Sequence, residues 1–159
     1  MSNNFEKLIS VESLRVYLLP IDKLQNDTLA IWGKMGAQHM VEHLIYSLQM
    51  GNGKLKVNCL SPVDKLPVLK RILLSNRPLP RNFINPIIGD ELLPLQYHSL
   101  ENAKSELAIE IDDCYQYFEE HPDSKPINPT FGNLNKEEWL IFHHKHFTHH
   151  LAQFGLIPG

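Results

Sequence analysis

The stretch at residues 142–155, FHHKHFTHHLAQFG, carries histidine at positions 143, 144, 146, 149 and 150. Read as a helix at about 100° per residue, it gathers Trp139, His143, His146, His150 and Phe154 into one narrow sector. His144 and His149 flank that sector, while Lys145 and Thr148 turn away from it. The face that should enter a core is thus made of imidazoles and two aromatics. Such a face requires a partner that satisfies the ring nitrogens, because buried polar groups without partners are costly.

A second helix, expected over residues 35–50, repeats the oddity. Met35, His39, His43, Tyr46 and Met50 recur at helical spacing along its inward stripe, and Gly51 is suited to end it in the left-handed region. Two further helices complete the expectation. One follows Ser10 as N-cap, with Val11, Leu14, Leu18 and Leu19 on one side and its end near Pro20. The other covers residues 99–120, with Leu100, Ala103, Leu107, Ile111, Cys114 and Phe118 inward and acidic residues opposite. Asn135 and Glu138 form the pattern of a capping box opening the last helix, which Gly155 and Pro158 close.

No segment shows strand alternation, so the expected class is all-α, a four-helix bundle in one domain spanning residues 1–159. Between the second and third long helices lies a long proline-rich connection, residues 54–94. A short helix is expected there over residues 64–75, with Asp64 as cap and Pro67 in the first turn. The rest, including NRPLPRNFINPIIGDELLP, is expected to be an ordered cover in which Phe83, Ile84, Ile87 and Ile88 pack inward.

Composition narrows the function. A chain of 159 residues with 43% hydrophobic content is long enough to bury a core, and its formal net charge of −3 comes without a basic stripe. Nucleic acid is therefore not an expected partner. The start MSNNFEKLIS resembles no secretion signal and no apolar run spans a bilayer, so a cytoplasmic protein with no membrane partner is expected. Cys59 and Cys114 stand far apart and are expected as free thiols.

Histidines at i and i+4, such as His146 and His150, place two rings on adjacent turns within reach of one cation. A facing helix that also turns histidines inward makes a shared divalent metal the simplest partner, since it takes neutral imidazoles as ligands. Three histidines leave a coordination position open, as in catalytic zinc sites. Zinc is the expected metal, and nickel suits the same donors.

WGKMGAQHMVEHL, beginning at Trp32, and FGNLNKEEWLIFHHKHFTHHLAQFGL, beginning at Phe131, resemble the DinB-like superfamily, in particular its small uncharacterised branch, and the likeness extends to RPLPRNF. The resemblance implies a four-helix bundle with a divalent metal held by one histidine of the second helix and two of the last. It selects His43 from EHL, and His146 and His150 from HFTHHLAQ. His39 and His143 fall outside the pattern and are lesser candidates, as additional ligands or as outer histidines. Gln153 and Tyr46, each three residues after a proposed ligand, are candidates to hydrogen-bond a ligand ring or bound water.

Characterised relatives include transferases and isomerases that use low-molecular-weight thiols such as bacillithiol or mycothiol. The resemblance therefore implies a small-molecule substrate and a thiol-dependent S-transferase. A metal-dependent hydrolase in which Tyr46 or Glu42 handles protons is the alternative, and a non-catalytic metal-binding or interaction protein is a third reading. Relatives also associate through helix faces, which makes a homodimer an expected partner arrangement.

Overall fold

The structure, a computed structural model, describes residues 14–83 and 91–158 and is mainly helical. Its elements are α1 (Leu18–Asp22), α2 (Ala37–Gly51), a 3₁₀ turn (Val63–Lys65) running into α3 (Leu66–Leu74), α4 (Leu100–Glu120), β1 (Ile127–Asn128), β2 (Gly132–Asn133) and α5 (Lys136–Gln153).

The two best-defined helices are those whose sequences carry side-chain caps. Ser99 Oγ accepts the Asn102 N–H at the start of α4. Asn135 and Glu138 close a reciprocal capping box at the start of α5. On α4 the expected stripe, Leu100, Ala103, Leu107, Ile111, Cys114 and Phe118, is buried. It packs along α2, whose buried face is Met40, Val41, Leu44, Ile45 and Leu48. α5 packs against α2 from another side, and α3 rests on α5.

Several boundaries differ from expectation. Ser10 and Val11 lie outside the described residues, as do Ile84, Ile87 and Ile88. The first helical segment breaks into a turn at residues 16–17, and α1 then runs through Pro20, which sits in the first turn where its missing N–H has no intrahelical acceptor to lose. That break resets the phase. Tyr17, Ile21 and Leu24 join Leu14 in the core, while Leu19 is 75% exposed.

Met35 precedes α2, for which Gly36 is the N-cap. Gly51 is the last helical residue and not a left-handed cap. That conformation belongs to Gly53, at φ 77°. Gly51 is needed for closeness instead, since a Cβ there would meet His143 Nε2 at 2.9 Å and Trp139 Cε3 at 3.0 Å. Asp64 lies within the 3₁₀ turn and makes no capping bond, while Pro67 takes the first turn of α3 as expected.

The helical expectation also missed a small antiparallel ladder, β1 with β2, pairing Ile127 with Asn133 and Asn128 with Gly132. Strands of two residues carry no alternation to read. The turn is held by Asn128, whose Oδ1 accepts from the backbone N–H of Thr130 at 2.9 Å and of Phe131 at 3.1 Å. Trp139 Nε1 donates to Pro126 O at 2.9 Å, fastening the ladder to α5.

α4 holds more than apolar packing. Glu110 is 1% exposed and accepts hydrogen bonds from Gln49 and Asn52 at the end of α2 and from Lys54 just beyond it. A buried carboxylate is stable only when paired and hydrogen-bonded, and here it anchors the start of the long connection. Cys59 and Cys114 are free thiols, and burial pushes the Cys114 thiol up to about 12. No helix among the described residues is long and apolar enough to cross a membrane.

Candidate metal centre

α5 carries Trp139, His143, His146, His150 and Phe154 into the interior, all of them buried. His144, Lys145, Thr148 and His149 are half-buried at its margins. α2 brings His43 against this face. His43 Nε2 lies 2.9 Å from His146 Nε2, and His150 Nε2 lies 3.0 Å from the same atom. Ligand atoms of the three residues all fall within 4.8 Å of one another.

The orientation of His150 is fixed by its surroundings. Gln153 Nε2 donates to the Trp32 carbonyl at 2.9 Å, which aims Gln153 Oε1 at His150 Nδ1, 2.6 Å away. Because both the Trp32 and the Gln153 oxygens only accept, His150 Nδ1 must carry the hydrogen. Its Nε2 lone pair then points into the cluster. This is the outer-shell arrangement that orients a metal-ligating imidazole.

The rings are also held neutral. Burial pushes His43 down to about 4, helped by the nearby charge of His149. Burial, reinforced by mutual repulsion with the neighbouring histidines, places His146 well below the ordinary histidine range. His150 is lowered likewise by burial and by His43, against a raising hydrogen bond from Gln153.

With His150 Nε2 fixed as an acceptor, the two short N···N contacts cannot both be hydrogen bonds unless a single hydrogen on His146 Nε2 is shared between them. A cation takes all three lone pairs instead. With zinc–nitrogen distances of about 2.0–2.1 Å, tetrahedral geometry sets ligand nitrogens about 3.3 Å apart. Two of the three spacings, 2.9 and 3.0 Å, need to open by only a few tenths of an ångström, and the third lies within 4.8 Å. The donor set therefore fits a divalent ion that favours imidazole, and three ligands leave a position free.

The other sequence-predicted residues take different places. His39 is not part of the cluster. It stands one turn earlier on α2, in the wall of a cavity of about 70 Å³ that also includes Met35, Glu42, His43, Tyr46 and Leu93. His143 is also outside the cluster. It is fully buried, stacked on Trp139 with ring centroids 5.2 Å apart, and neither ring nitrogen has a partner. The backbone of Gly51 faces it, and burial holds it neutral, with its pKa lowered to about 3.

Glu42 is occupied structurally. Its carboxylate accepts from Gln96 N at 2.5 Å, Tyr97 N at 3.4 Å and Gln38 Nε2 at 2.8 Å, tying the end of the long connection to α2 one residue before His43. Tyr46 lines the cavity with Glu42 and His43. Gln153 hydrogen-bonds the His150 ring.

Sequence reading did not find two residues that reach this region. Arg81 lies over the Trp32 ring, 4.2 Å from its centroid, and so fastens the RPLPRNF segment beside the site. Asn128, in the β1 turn, lines a small cavity that His146 also lines. No protein-family model, curated protein or solved structure matches this chain.

Proposed function

We propose that this chain is a DinB-like four-helix bundle in which His43, His146 and His150 hold zinc, and that it transfers the sulfur of a low-molecular-weight thiol to a small electrophile. The observation that carries the reading is the convergence of three neutral imidazole Nε2 atoms, with His150 locked by Gln153 in the tautomer a ligand needs. α2, α4 and α5 are the long helices on which the bundle reading rests.

A bound zinc supplies Lewis acidity, which makes a thiol or a water a nucleophile at neutral pH. The chain's own residues favour the thiol. Glu42 is engaged with three N–H donors, which removes it as a free base for hydrolysis. A thiol held by zinc loses its proton without help from a carboxylate. Met35, Leu92, Leu93 and Pro94 give the cavity beside His43 an apolar wall suited to the carbon skeleton of the electrophile.

The test is a two-substrate assay on zinc-loaded protein. Bacillithiol or a mycothiol analogue is offered 1-chloro-2,4-dinitrobenzene; a carbon–sulfur bond forms, chloride leaves and the thiol proton goes to solvent. Thiol-dependent product that disappears in His150→Ala supports the transferase. Ester cleavage without thiol would move the assignment to a hydrolase. Inertness of a stoichiometrically loaded protein toward both would leave a non-catalytic metal-binding role.

A further inference from the structure

His146 also lines a second cavity, of about 10 Å³, whose other walls come from α2, α5, the β1 turn and Phe83. Ser47, Asn128, Thr130, Phe142 and His146 are among its walls. Two buried polar atoms of these residues have no hydrogen-bond partner, His146 Nδ1 and Asn128 Nδ2. His146 is 2% exposed and Asn128 is 1% exposed, so bulk water satisfies neither.

The chemistry of both atoms is determined. Asn128 Oδ1 accepts from two backbone N–H groups, which turns its amide nitrogen, a donor only, the other way. His146 directs Nε2 at His43 and His150, so as a metal ligand it must carry its hydrogen on Nδ1. Two donors thus share one cavity without an acceptor. Burying both unmet is expensive, and native interiors resolve such cases with ordered water.

Resting on the metal reading above, we propose that this cavity is a binding site for one water molecule, which accepts from Asn128 Nδ2 and His146 Nδ1 and thereby fixes the tautomer of the central metal ligand. The volume decides the occupant, because about 10–15 Å³ admits a single water and excludes an organic anion. Ser47, whose hydroxyl can accept a hydrogen bond, is on the same wall. Asn128 is then a positioning residue for His146, acting through the water.

A high-resolution crystal structure of the metal-free protein tests the site without relying on zinc. In that state the water donates to His146 Nδ1 if the ring carries no hydrogen there, so the site is expected to be filled either way. Density within about 3.2 Å of both nitrogens is the expected result. An empty cavity, or a protein acceptor in its place, overturns the proposal.

The link to the metal is read by zinc titration of variants that fold as the wild type does by circular dichroism. Ser47→Val fills the cavity and should weaken zinc binding about 10–100-fold, as loss of an outer-shell partner does. Asn128→Asp keeps the turn's acceptor and lets the water donate to it, so affinity should hold, and ¹⁵N spectra should show hydrogen on His146 Nδ1 in the zinc form. Wild-type affinity in folded Ser47→Val contradicts the positioning role. A wild type that binds no zinc, yet shows the water, would overturn the function proposed above and leave the water site standing.

Discussion

Gln153 bears on the proposed metal site although it is not one of the proposed ligands. It joins the Trp32 carbonyl to His150 Nδ1, so Gln153→Leu removes the acceptor that fixes the ligand's tautomer. Zinc affinity measured by competition with a chelator should fall about 10–100-fold while the helical spectrum persists. An unchanged affinity would mean that the hydrogen bond does not orient the ring. Helical spacing put His43, His146 and His150 on inward faces together with His39 and His143, and the resemblance chose among them and singled out Gln153. The fate of His143 was not legible in the sequence. A wheel gives its direction but not what the opposite helix presents there, and α2 presents Gly51, which offers no ligand and admits the ring only because it lacks a Cβ. Asn128 was illegible for a related reason, since its environment depends on a turn whose strands are two residues long.

The same Gly51 makes a test of how α2 meets α5. Gly51→Ala raises helix propensity, but it sets a Cβ within 3.0 Å of the rigid Trp139 ring and closer still to His143. Overpacking of this kind costs about 1–3 kcal/mol, more than the roughly 1 kcal/mol that alanine gains over glycine in a helix. Urea denaturation should therefore show a net loss of stability, and a gain would show that the two helices can separate freely. At the start of α5, Asn135→Ala removes the reciprocal cap and should cost about 0.5–2 kcal/mol. The starts of α4 and α5 could be read from sequence because Ser99 and Asn135 mark them chemically. α1 and α2 have no side-chain cap, so their limits carry no such mark.

Burying neutral histidines makes the whole molecule sensitive to acid. Unfolded histidine titrates near 6.5, whereas His43 and His143 are lowered to about 4 and about 3 in the fold. Between those values the unfolded chain binds more protons than the folded one, so stability rises with pH and is lost as pH falls from about 6.5 toward 4. The melting temperature of metal-free protein should drop between pH 7 and pH 5, and zinc should leave in the same window because protons compete for its ligands. A flat profile would mean that these rings are not desolvated. Zinc, binding only the folded cluster, should raise the melting temperature with the logarithm of its free concentration.

The metal content of protein purified without added metal, compared between wild type, His43→Ala and His146→Ala by elemental analysis, bears on all of these points. Near-stoichiometric zinc in the wild type, lost when a ligand is removed from either α2 or α5, is the expected result. A folded wild type that contains no metal and takes up neither zinc nor nickel would contradict it, and the three histidines would then be a hydrogen-bonded core cluster and nothing more.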